Sequence, residues 1–69
     1  MLIMELSKRL KELRKEKGIS QRELASEIGV TQKAIDFWEK EINEPKASYI
    51  VALCKYFAVP SDYILGLID

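Results

Sequence analysis

The chain has 69 residues, 48% of them apolar, which leaves room for one domain with a packed core and excludes a disordered chain. A chain of this size buries only about 60% of its unfolded surface, so its stability is modest. Its 11 basic and 11 acidic side chains balance to zero net charge, which excludes bulk attraction to polyanions. Only an uneven distribution of charge can then make a basic face.

Cys54 is the single cysteine, and there is no histidine. A lone thiol forms no internal disulfide, which fits a reducing compartment, and it is no zinc site. No nucleophile–base pair, glycine-rich phosphate loop or carboxylate pair set in a pocket is recognisable. Catalysis, metals and cofactors therefore find no support. The opening MLIMEL is apolar but short, and basic residues follow it instead of preceding it, the reverse of a secretory signal. No run approaches the roughly 20 apolar residues needed to span a membrane. A cytoplasmic protein is expected. Residues 1–4 read as a frayed lead-in to the first helix, with Met4 an alternative start.

The first helix is predicted from about Glu5 to Lys17. Leu6, Leu10 and Leu13 recur at i, i+4 and i+7 and form one apolar stripe. The other face carries Lys8, Arg9, Lys11, Arg14, Lys15 and Lys17, most simply a solvated surface. Glu12 stands one turn from Lys8, an attractive pair, and one turn from Glu16, a repulsive one. Gly18 ends the helix, with lysines in the last turn suiting the helix dipole.

Ser20-Gln21-Arg22-Glu23 opens the second helix as a capping box. Gln21 lies in its first turn, where outward N–H groups make a seat for a phosphate oxygen that a Gln side chain can join. From Gln21 to Lys40 the chain reads as two short helices around a tight corner. Leu24, Ile28, Val30, Ile35 and Trp38 face inward, and Ala25 is small where the helices cross. Gly29 supplies the positive φ at the corner, and Thr31 caps the next helix. Two core helices of a small bundle would show the apolar spacing. The small residue, corner glycine and capping threonine in register within 20 residues point further, to a helix-turn-helix. That shape lays its second helix in a DNA major groove.

The third helix, Gln32 to about Glu39, is then the candidate reader. With Ala34, Ile35 and Trp38 inward, Gln32, Lys33, Asp36 and an exposed Phe37 face outward, followed by Lys40. Gln can bond an adenine edge twice, Lys donates to guanine, Phe packs on a thymine methyl, and Asp accepts from cytosine N4. Glu41 to Lys46 is a connecting loop, in which Pro45 sets up the next helix. A fourth helix from about Ala47 to Phe57 is apolar nearly all round and is expected to be the buried centre, with Cys54 a small core residue. After Ala58-Val59-Pro60, Ser61 and Asp62 are expected to cap a last short helix through Leu65, stopped by Gly66. The apolar tail Ile64, Leu65, Leu67 and Ile68 is a candidate dimer patch where it does not fold back on the core.

RLKELRKEKGISQRELA, then IGV with the capping Thr31, then Trp38-Glu39, Pro45 and a closing VPSDYILG together resemble the phage-repressor family of Cro/cI-type helix-turn-helix proteins, also called XRE-like regulators. The similarity runs from about Lys8 to Gly66. It implies an all-α, compact five-helix, lambda-repressor-like DNA-binding domain. By position it implies that Gln21 contacts phosphate, that Gln32, Lys33 and Phe37 reach base edges, and that Thr31 and Lys40 meet the backbone. It also implies an ion pair of Arg14 with Glu39 that braces the first helix against the third. One departure is plain. Family members often carry Asn-Gly and basic residues after the Glu, whereas here Glu41 and Glu44 stand in that loop, leaving Lys40, Asn43 and Lys46 as phosphate donors.

These readings converge on one domain over residues 1–69, a sequence-specific DNA-binding regulator of transcription, expected to repress as a homodimer on a palindromic operator. The rival is an antitoxin-like or anti-repressor module that uses the same fold to bind a protein through Phe37 or the apolar tail.

Overall fold

A computed structural model of the chain describes residues 4–68, which are all-helical with no strand. Of the expected lead-in at residues 1–4, residues 1–3 lie outside them and Met4 is already the first residue of the first helix. Five helices follow one another: α1 (Met4–Lys17), α2 (Gln21–Ile28), α3 (Gln32–Glu39), α4 (Ala47–Phe57) and α5 (Ser61–Ile64).

Local chemistry sets the boundaries. The Ser20 hydroxyl accepts from the Glu23 N–H at 3.0 Å, and the Glu23 carboxylate accepts from the Ser20 N–H at 2.9 Å. This reciprocal capping box starts α2. Thr31 starts α3 by accepting from the Ala34 N–H at 3.1 Å. The expected caps of α5 are corrected. Pro60 holds the cap position without a side-chain bond, and Ser61 is already inside the helix. Proline's fixed φ and missing N–H suit a helix start, so a polar cap is not required.

All five helices stop in the same way, on a residue with positive φ: Gly18, Gly29, Glu41, Ala58 and Gly66. In each, the next N–H turns back to a carbonyl of the last turn, as Ile42 does to Phe37 at 2.9 Å and Val59 to Cys54 at 3.0 Å. Glu41 and Ala58 thus occupy places that favour glycine.

Every helix contributes to one core. Leu6 and Leu10 of α1, Leu24 and Ala25 of α2, Ile35 and Trp38 of α3, Leu53 of α4 and Ile64 of α5 are buried together. Each large side chain there is worth roughly 1.5–3 kcal/mol in area removed from water. Ser7 is the buried polar residue among them, and its hydroxyl donates to the Trp38 carbonyl, joining α1 to α3. Among the described residues no buried side-chain nitrogen or oxygen lacks a partner.

Three expectations about packing are corrected. α4 is not the buried centre: Leu53 alone is fully buried there, and Val51 is 51% exposed. Its apolar residues exceed what one face can cover. Ile64, taken as part of a surface patch, is fully buried, and Leu65 is packed partly against the core. Arg9, grouped with the solvated face of α1, lies over the Tyr63 ring at 4.5 Å and donates to the carbonyls of Tyr63 and Ile68. It thereby ties α1 to the end of the chain. Cys54 is half-buried, and desolvation pushes its thiol pKa up, as suits a packing residue more than a nucleophile. No helix among the described residues is long and apolar enough to cross a membrane.

Candidate nucleic-acid interface

The corner between α2 and α3 positions the site. Gly29 at φ +77° lets both its own N–H and that of Val30 return to the Ala25 carbonyl, at 2.9 and 3.0 Å. Thr31 then turns the chain into α3. Leu24 and Ala25 pack against Ile35 and Trp38, so the inner face of α3 is fixed and the opposite face points away from the core.

A helix turns about 100° per residue, so Gln32, Asp36, Lys40 and Lys33 share roughly 100° of arc opposite Ile35 and Trp38. Gln32, Lys33 and Lys40 are exposed, and Asp36 sits half-exposed near the middle of this ridge. Phe37 differs from the fully exposed aromatic expected. It lies at the ridge's edge, half-buried, with the Lys33 ammonium 5.4 Å from its ring centre. Thr31, Asn43 and Lys46 are exposed at the two ends of α3 and in the loop beyond it.

Charge on this face is balanced. Lys33, Lys40 and Lys46 are met by Asp36, Glu41 and Glu44. Lys40 pairs with Asp36 at 3.1 Å across one helical turn. This pairing, with a second bond from Gln21, holds the Asp36 carboxyl below the ordinary 3.8. Asp36 is therefore ionised at neutral pH but carries its own counterion.

Behind the ridge runs a polar chain that joins α1, α2 and α3. The Arg14 guanidinium donates to both Glu39 oxygens, Nε to Oε2 at 2.7 Å and Nη2 to Oε1 at 3.0 Å, and also to the Ile19 carbonyl at 2.9 Å. The Glu39 side chain is 3% exposed and that of Arg14 12%. The Glu39 bond raises the Arg14 pKa still further. Gln21 adds to this group: its Nε2 donates to Glu39 Oε1 at 3.1 Å and to Asp36 Oδ1 at 3.2 Å. The side chain foreseen as a phosphate donor thus has both N–H groups engaged by carboxylates of α3. The signal in the sequence was Asp36 and Glu39 at i and i+3, one turn apart on a single face.

The first turn of α2 keeps its own donors. Ser20 satisfies the Glu23 N–H, and the N–H groups of Gln21 and Arg22 precede the first intrahelical bonds. At the far end, the dimer candidates separate. Leu67 is 71% exposed and Ile68 50%, whereas Ile64 has no exposed surface.

The helix-turn-helix family model matches residues 10–64. The uncharacterized HTH-type transcriptional regulator YobD of Bacillus subtilis (strain 168) is 36% identical over 61 residues, 88% of this chain and 54% of its own. The HTH-type transcriptional regulator ImmR of the same organism is 32% identical over 63 residues, covering 91% and 50%. This chain spans about half the length of these two curated relatives. Among solved structures, the DNA-binding domain of the P22 c2 repressor in solution superposes with a TM-score of 0.83 at 32% identity, covering 94% of this chain and 86% of that one. The P22 c2 repressor in complex with a synthetic operator gives 0.81 at 32% identity, covering 86% and 89%. Family, fold and corner geometry agree, and the chain belongs to the helix-turn-helix family of Cro/cI-type, XRE-like regulators.

Proposed function

We propose that this chain binds double-stranded DNA in a sequence-specific way and regulates transcription, most simply as a repressor, in the cytoplasm. One observation carries the reading. The outer ridge of α3 is accessible and polar while its inner face is locked in the core, in a fold shared with the P22 c2 repressor's DNA-binding domain. In this reading Gln32, Lys33, Asp36 and Phe37 reach base edges. Thr31, Lys40, Asn43 and Lys46 meet phosphates, and the first-turn N–H groups of α2 seat another beside Gln21. Residues 1–69 act as one domain. Two copies related by a twofold axis would place their α3 helices about 34 Å apart, one DNA turn, on a palindromic site. Leu67 and Ile68, with Leu65 at their edge, are the surface available for such a dimer; buried Ile64 is not.

The balanced charge bounds the affinity. Each neutralised phosphate contributes about 0.9 to the log–log salt slope, so Lys40 and Lys46 together give a slope of only about −2 per half-site. Site selection from random DNA tests the reading. Gln32→Ala and Lys33→Ala are expected to relax preference at particular base pairs by roughly 1–3 kcal/mol each. Lys46→Ala is expected to weaken all sequences alike and to flatten the slope by about 0.9 per half-site. If both classes of variant behave the same on matched and scrambled sites, the assignment of readers is wrong.

A second reading has its own observation. Ile42, Val51, Leu67 and Ile68 are each at least half exposed, and Glu41 and Glu44 stand in the loop that would follow the phosphates. An antitoxin-like or anti-repressor module would use such apolar residues on a protein partner. No DNA binding near 50 mM salt, or a flat response to salt, would favour it.

A further inference from the structure

We propose that Asp36 fixes one base of the site by accepting from the N4 amino group of a cytosine in the major groove, and that Gln21 is the positioning residue that aims it. The inference rests on α3 being the reading helix.

Three features of the geometry lead there. First, Asp36 lies near the middle of the outer ridge, and its side chain is 29% exposed, open to one partner from outside. Second, an ionised carboxylate offers about four acceptor directions and no donor. Gln21 occupies one on Oδ1, at 3.2 Å, and Lys40 one on Oδ2, at 3.1 Å, so each oxygen retains another. Third, the neighbouring Lys40 offsets the carboxylate's charge, which lets it approach a polyanion. The depressed carboxyl pKa fits this placement.

An acceptor without a donor discriminates sharply among base edges. Guanine shows N7 and O6, adenine shows N7 beside its amino group, and thymine shows O4. Cytosine alone offers an amino donor with no acceptor of its own in the major groove.

The role of Gln21 follows from what surrounds its amide. Both neighbours, Asp36 and Glu39, are acceptors, so the amide turns its nitrogen to them and both N–H groups are engaged. Glu39 is in turn held by the bidentate Arg14. Asp36 is therefore aimed by a chain of bonds rooted in α1, and a phosphate beside α2 would have to bind backbone N–H groups instead of this side chain.

The test measures competition binding to single-base-pair variants of a site selected by the wild type, using D36A, D36N, Q21M and the Q21M/D36A double variant. Thermal melts verify that each is folded. The wild type is expected to lose on the order of tenfold in affinity when the cytosine at one position of the half-site is replaced. D36A should erase that preference and leave the others. D36N should move it toward adenine, which asparagine bonds at two atoms. Q21M should weaken the same preference and add nothing to D36A. The proposal is overturned if D36A and D36N keep every base preference. The Gln21 part is overturned if Q21M weakens all sequences equally and adds to D36A, the signature of a phosphate contact. A wild type that selects no site at all overturns the reading of α3 itself, an outcome distinct from the other two. Should Q21M fail to fold, the two Asp36 variants still decide the cytosine assignment.

Discussion

Glu39→Ala is the perturbation whose size the structure constrains best. The Glu39 side chain is 3% exposed and accepts three hydrogen bonds, two from Arg14 and one from Gln21. Removing it leaves a guanidinium that is only 12% exposed and keeps a single bond, to the Ile19 carbonyl. Breaking a buried pair from one side costs about 3–5 kcal/mol, because the remaining charge is uncompensated. Arg14 retains some solvent access, so the lower end, about 3 kcal/mol, is expected. A 69-residue domain has about 3–10 kcal/mol in total, so the variant stands near the limit of folding. The corresponding fall in Tm is about 12–24 °C. Urea unfolding followed by far-UV circular dichroism reads the change directly, with an m-value that stays constant if the unfolded state is unaffected. The companion variant Arg14→Met/Glu39→Leu removes both charges and should lose no more than about 2 kcal/mol. A Glu39→Ala loss below about 1 kcal/mol, the range of exposed pairs, would refute the claim that this pair braces α1 against α3.

Glu41 sits at φ +63° in the turn that ends α3. Glu41→Gly should therefore raise stability by about 0.5–1 kcal/mol in the same urea assay, and tighten DNA binding by removing an acid from the loop. Unchanged stability would mean the turn is not strained. At Gly66 an added Cβ would lie 2.5 Å from Glu5 Cβ, whereas at Gly18 it would meet nothing within 4 Å. Gly18→Ala should cost about 1–2 kcal/mol from backbone conformation alone, and Gly66→Ala clearly more. Equal losses would contradict the close packing of α1 on the end of the chain. The carboxyl of Glu23 is held below its ordinary 4.5, chiefly by the Ser20 N–H and then by the Ser20 hydroxyl. A depressed folded-state pKa stabilises above the unfolded value and is lost as pH falls through the folded one. The urea midpoint should thus be level above pH 4.5 and decline below it, with a shallower decline in Glu23→Gln. Identical acid limbs for the two proteins would show that the capping box contributes nothing there.

What could be read from the sequence is what neighbours along the chain decide. Ser20 with Glu23, Gly29 and Thr31 act within three or four residues, so the starts of α2 and α3 and the corner between them were legible. The inward positions Leu24, Ile35 and Trp38 follow from helical period alone. The readings that failed depended on distant partners. An apolar run such as Ile64 to Ile68 has no period to show that Ile64 turns inward while Leu67 stays out. α4 carries apolar residues on more than one side, and only the placement of the other helices selects Leu53 over Val51. Arg9 resembles any surface cation until Tyr63, 54 residues away, comes beneath it. The same holds for Gln21, whose acceptors lie 15 and 18 residues along the chain.

Contact between DNA and the outer ridge of α3 is what the proposed function requires. Titrating the isotopically labelled chain with a duplex carrying its selected site, and following each amide by NMR, tests this most directly. The largest shifts are expected at Gln32 to Phe37 and at Gln21 and Arg22, with smaller changes at Asn43 and Lys46. Shifts confined to Val51, Leu67 and Ile68 with a silent α3, or no shifts at low salt, would contradict it.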